Sequence, residues 1–204
     1  MTTSDCNAID NTCNERLAQW LSRVFHPFVI SMVALLLSIY LETSLLWEAV
    51  LWASVSLAVF LLPFSVFILV MVCAGRYSDL DVSIREQRHG LYLLAGVGLF
   101  LLVAIFTLGG APLVSRVSIY AAVFSTAASA VFNRFSKISV HAMVAAGSAV
   151  ALSYLSPLAS LFLTAPAALV GWSRVRLKRH TWFQVIAGWG MAVVCVIVVF
   201  YLWL

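Results

Sequence analysis

The sequence has little charge. Of its 204 residues only 10% are Asp, Glu, Lys or Arg, while 63% are hydrophobic. A soluble domain carries about a quarter of its residues as charge. This chain cannot cover a globule with polar groups, so lipid must solvate it. Cysteine is sparse as well. Cys6 and Cys13 sit in a polar N-terminal stretch, Cys73 and Cys195 inside apolar runs. No spacing fits a zinc site or a disulfide framework, so all four read as free thiols. The basic residues behind the net charge of +4 fall in short segments. There is no long basic stripe with interleaved aromatics. That excludes nucleic acid as a partner and favours anionic headgroups or phosphates. The N-terminus also lacks the basic opening of a signal peptide, since Asp5, Asp10 and Glu15 precede any apolar run.

What the sequence does have is apolar runs, at 27–41, 45–74, 90–108, 112–133, 139–155, 157–170 and 182–204. A membrane-spanning helix needs about 20 residues, or about 17 at the short end. The expected fold is therefore all-α: a polytopic transmembrane helix bundle of six to seven spans, six if 139–170 is partly re-entrant. Pro63 should tilt or kink the long second run, and Pro166 interrupts the sixth. Residues 1–14 read as polar and disordered, with the capping-box pattern Thr12-x-x-Glu15 starting a helix. Leu17, Trp20, Leu21, Val24 and Phe25 then recur on one helical face, with Arg16, Gln19 and Arg23 off it. That pattern predicts an N-terminal amphipathic interfacial helix ending before Pro27. The expected division is residues 1–26 as N-terminus and interfacial helix, and 27–204 as one transmembrane domain.

The polar connections alternate along the chain. Residues 75–89, 134–138 and 171–181 hold most of the charge; the connections near 42–44, 109–111 and 156 hold almost none. Two runs separate each charged segment from the next, and an even number of crossings returns the chain to the same side. All three segments are expected at one face. Arg16, Arg23, Arg76, Arg134, Arg176, Lys178 and Arg179 lie on that side and only Arg116 on the other. The positive-inside rule makes the charged face cytoplasmic in a multi-pass cell-membrane protein.

These segments also carry the chemistry. The third runs from Ser173 and Arg174 to His180 and Gln184; the second holds Lys137, Ser139, Val140 and His141; the first holds Asp79, Asp81, Arg85, Arg88 and His89. Two imidazoles that titrate near neutrality can divide the roles of nucleophile and acid. Arginine forks match phosphate oxygens. His180 and Gln184 are four apart, so on a helix they share a face, and Gln184 can hold one ring nitrogen while the other stays free. No carboxylates accompany the histidines, so neither a metal centre nor a cofactor is expected. The pattern suits metal-free phosphoryl transfer. His26 and His89 read as structural.

Ser173-Arg174-x5-His180-x3 resembles the third signature of the type 2 phosphatidic acid phosphatase superfamily, Ser-Arg-x5-His-x3-Asp. Ile138-Ser139-Val140-His141 keeps the serine and histidine of the second, Pro-Ser-Gly-His. In the first, Lys-x6-Arg-Pro, Arg88 matches the arginine, Asp81 stands for the lysine and His89 for the proline. Gln184 stands where the third signature has aspartate. The resemblance covers about residues 76–190. It implies that His180 attacks phosphorus and forms a phosphohistidine, and that His141 protonates the leaving alkoxide. It further implies that Arg88, Arg174, Ser139 and the amide near Val140 bind the phosphate, with Ser173 part of the same signature. Lys137 or Arg85 would then replace the missing lysine, with Asp81 positioning one of them and Gln184 orienting the nucleophile. The implied activity is hydrolysis of a lipid phosphomonoester or diphosphate: phosphatidate, phosphatidylglycerophosphate or an isoprenyl (di)phosphate. A lipid phosphotransferase with the same site, and a non-catalytic phospholipid-binding protein or small transporter, remain as alternatives. The Asp79–Asp81 pair also fits one half of a magnesium-diphosphate site, but a second aspartate-rich cluster is missing. Membrane lipids are the expected partners, and nothing in the sequence sets an oligomeric state.

Overall fold

The computed structural model describes residues 3–82 and 84–204, with side chains from Asn14 onward. Every regular element described is helical. α1 (Thr3–Val24) leads into α2 (Pro27–Thr43), α3 (Leu46–Cys73), α4 (Arg88–Leu108), α5 (Leu113–Phe132), α6 (Val140–Ser153), α7 (Pro157–Arg176) and α8 (Trp182–Trp203). Five of these, α3, α4, α5, α7 and α8, are long and apolar enough to cross a bilayer. A sixth span is available if Asn14–Val24 and Pro27–Thr43, bent by 46° at their junction, count as one. The outer surface fits that setting: Leu93, Phe100, Leu108, Phe162, Phe183 and Tyr201 are all more than two-thirds exposed. So many large apolar side chains facing outward suit acyl chains and not water.

The upper expectation of seven spans is not met, because the run at 139–155 yields only the 14-residue α6. At 1.5 Å per residue, that is about 21 Å against a hydrocarbon thickness of about 30 Å. α6 is instead the most enclosed helix, packed against α2, α7 and α8. Ala142, Ala145, Ala146 and Ala149 are buried along it and let its neighbours approach closely. Pro166 does not interrupt the next run. α7 continues through it to Arg176, which places Ser173 and Arg174 on the helix itself. Pro63 acts locally too. A π-turn at Leu57–Leu61 just precedes it, and α3 runs on for 28 residues. A widened turn of this kind absorbs the hydrogen bond that proline cannot make.

The N-terminal expectation also changes. α1 is helical from Thr3, so the polar stretch is not irregular and Thr12 does not start the helix. The predicted apolar stripe does not act as one face. Leu17, Trp20 and Val24 are exposed, whereas Ala18, Leu21 and Ser22 are buried, on the helix that packs against α7. This packing does not confirm an interfacial amphipathic helix. Cys73 and Cys195 are free thiols as expected; the side chains of Cys6 and Cys13 lie outside those described.

Candidate active site

The three charged segments do converge. Arg85 Nη1 donates to the carbonyls of Arg134 (3.3 Å) and Phe135 (3.4 Å). Buried Asn133 Nδ2 donates back to the Arg85 carbonyl at 3.3 Å. These bonds fasten the first segment to the second. The second meets the third where the Ser139 N–H donates to the Gln184 carbonyl at 3.3 Å.

Arg88, at the start of α4, is buried. Its Nε donates to the Val82 carbonyl at 2.9 Å and its Nη1 to the Ile138 carbonyl at 3.1 Å. Val82 is fully buried with φ 45°, a left-handed conformation that a β-branched residue adopts only under constraint. The Arg88 bond is part of that constraint, and it fixes the turn just after Asp81. The Asp81 carboxylate accepts from Arg174 Nη1 at 2.9 Å, and its other oxygen lies 3.7 Å from His141 Nε2. Asp81 therefore pairs with Arg174 and not with Lys137 or Arg85. The same Arg174 nitrogen donates to Ser22 of α1 at 3.1 Å.

His180 sits in the turn between α7 and α8. Its Nδ1 is 3.0 Å from Gln184 Oε1, which also accepts the Thr181 N–H at 3.3 Å. Thr181 Oγ1 accepts the Gln184 N–H in return, which completes a capping box at the start of α8. A backbone N–H can only donate, so the amide atom facing it is the oxygen. His180 must then donate from Nδ1 and leave the Nε2 lone pair free. Burial is the main reason its pKa is pushed down to about 3; the Arg174, Arg88 and Lys137 charges add to this and only the Gln184 bond opposes it. The free imidazole is thus neutral at physiological pH, the form that can attack.

Asp81, Arg88, Val140, His141, Arg174 and His180 all line one cavity of about 360 Å³. From that polar end it extends among Phe60, Phe64, Leu99, Leu102 and Ile119 in the bundle. His141 Nε2 and Arg174 Nε, at this end, are buried with no hydrogen-bond partner. Unpartnered buried donors are costly, and they point to a ligand that satisfies them.

Other expected site residues stand back from the cavity. Ser173 Oγ donates to the Val170 carbonyl at 2.8 Å within α7. Ser139 caps α6, its Oγ accepting the Ala142 N–H at 3.4 Å. Arg85 is engaged with backbone, and Lys137 reaches His180 through its charge. Gln184 lies behind His180. The sequence reading missed three contributors. Asn133 stitches the segments, Ser22 holds Arg174, and His26 lines the cavity with its ring centroid 5.2 Å from that of His141. Only the proximity of His26 to a bend-forming proline hinted at a special position. Nor are the histidines without a carboxylate, because Asp81 reaches His141 across 60 residues of sequence.

The bundle therefore gathers three histidines, His26, His141 and His180, and two arginines, Arg88 and Arg174, around one cavity. The family model for the PAP2 superfamily matches residues 94–204, just over half of the chain. The protein belongs to that superfamily. The matched stretch contains Ser139, His141, Ser173, Arg174 and His180, and begins after Asp81 and Arg88. Comparison with curated proteins and with solved structures finds no match.

Proposed function

We propose that this protein is a lipid-phosphate phosphohydrolase that works without metal through a phosphohistidine. Family membership supports a phosphatase. The observation that carries the lipid reading is the cavity, whose polar end holds His180 and Arg174 and whose remainder is walled by apolar side chains within the bundle. A phosphate would sit at the polar end and its chain along the apolar wall, entering laterally from the bilayer.

The His180 Nε2 lone pair attacks phosphorus in line, and the P–O bond to the lipid breaks. Arg174 Nε and the remaining guanidinium nitrogen of Arg88, Nη2, hold the phosphate oxygens as charge develops. The partial positive charge at the N-terminus of α6 adds to them. His141 gives its proton to the leaving alkoxide. Asp81, 3.7 Å away, is placed to steady the ring while it carries that proton. Water then attacks the phosphohistidine, His141 takes a proton from it, and inorganic phosphate leaves with His180 restored. Lys137 contributes positive potential from outside contact distance. The site faces the cytoplasm on the basic-residue bias of the connecting segments.

The test is phosphate release from phosphatidate, phosphatidylglycerophosphate and isoprenyl (di)phosphates, in detergent and excess chelator. Wild type should release phosphate from at least one, and His180→Ala should lose at least about 10³-fold, the scale of removing a nucleophile. Equal release by both proteins, or none from wild type across the panel, overturns the proposal. Transfer of the phosphoryl group to an added alcohol in preference to water marks a transferase instead.

A further inference from the structure

His26, Asp81 and His141 come from three separate parts of the chain and meet at the polar end of the cavity. One ligand atom from each lies within 4.8 Å of the others. His26 Nδ1 is occupied by the Phe28 N–H at 3.4 Å, which leaves its Nε2 as the free nitrogen. His141 is only 8% exposed, and its buried Nε2 has no hydrogen-bond partner. Two imidazoles and one carboxylate are the donor set of open zinc sites, which keep a fourth position for water or substrate. Nitrogen donors of this kind select zinc-type ions over magnesium or calcium. Tetrahedral zinc, with bonds of about 2.0–2.1 Å, sets its ligands about 3.3 Å apart. Asp81 and His141 are already at 3.7 Å. Closure therefore falls mainly to His26, which sits at the 46° bend between α1 and α2. Arg174, on the other Asp81 oxygen, orients the carboxylate as outer-shell partners of metal ligands do.

We propose that His26, Asp81 and His141 bind one divalent transition-metal ion of the zinc class, and that its occupancy inhibits phosphate release. The ion takes the His141 nitrogen that would otherwise deliver a proton. Metal binding stands on the three ligands alone; inhibition rests in addition on the hydrolase reading.

Binding is measured on the purified full-length protein by zinc titration calorimetry, and by the visible absorption of tetrahedral cobalt(II) as a stand-in. Wild type should bind one ion. His26→Asn keeps an acceptor for the helix cap but removes the imidazole, and should weaken binding more than about 100-fold, beyond the effect of losing an outer-shell partner. His141→Gln should weaken it equally, and His180→Ala should leave it unchanged. Stoichiometric zinc should suppress phosphate release by wild type, while the metal-free rate of His26→Asn, whatever its level, should not fall on adding zinc. No binding by wild type, or equal binding by His26→Asn, overturns the site. Binding without suppression of an active enzyme overturns inhibition alone. A wild type that binds zinc yet never releases phosphate sinks the hydrolase reading and leaves the site standing.

Discussion

Gln184 serves three partners at once. Its side-chain oxygen accepts from His180 and from the Thr181 amide, and its carbonyl accepts from Ser139. It fixes the tautomer of the proposed nucleophile but brings no charge. Because the folded His180 pKa lies near 3 and the ordinary value is 6.5, the unfolded chain binds the extra proton between those limits. This contribution to stability is fully present above pH 6.5 and is lost as pH falls toward 3. Gln184→Asp places an anion beside Nδ1–H and should raise the His180 pKa by about 1–3 units. The acid limb of kcat/KM, which reports the free enzyme, should then move upward if His180 sets it in the variant. An unchanged profile would show that Gln184 acts only as a helix cap. The Gln184 position was legible in the sequence from its four-residue spacing to His180. The partner of Asp81 was not, because the expectation set it against Arg85 in its own segment or Lys137 in the next. The fold instead brings Arg174 to it across 93 positions.

At the scale of elements, the site depends on how closely α8 approaches the start of α6. A Cβ on Gly188 would lie 3.0 Å from both Ile138 Cγ2 and the Ser139 carbonyl. Backbone cannot yield as a flexible side chain can. Gly188→Ala should therefore displace the Ser139 turn, cost about 1–3 kcal/mol as overpacking does, and lower phosphate release. A Cβ on Gly147 meets Ala192 Cβ at 3.5 Å and Val196 Cγ2 at 3.8 Å, ordinary contact, so Gly147→Ala should be tolerated. Thermal unfolding in detergent and phosphate release together check the pair; indistinguishable variants would contradict the packing. Element boundaries were less legible than element type. Hydropathy marks α6 and α7 as apolar. It does not tell that Pro166 is carried inside a helix, or that alanines make α6 a short internal one. Those outcomes depend on tertiary packing.

For the whole molecule, the convergence of three charged segments was readable from alternation along the chain, even though the span count is five or six and not seven. Convergence needs only that α6 and α7 together lead away from that end and back, which α6 does without being long enough to count as a span. Orientation is a separate matter that rests on Arg and Lys bias. A cysteine placed at Lys178, in a background without the native cysteines, should resist a membrane-impermeant thiol reagent in intact cells and react once the cells are opened. Ready labelling of intact cells would place the phosphate site on the outer face.

The central claim is that His180 takes the phosphoryl group. The most direct measurement is a rapid alkaline quench of the metal-free enzyme during turnover of a lipid substrate labelled with radioactive phosphorus, followed by peptide mapping. Label on the peptide carrying His180, stable in base, lost in acid and absent from His180→Ala, is the predicted result. Label on another residue, or undiminished turnover by His180→Ala, would contradict it.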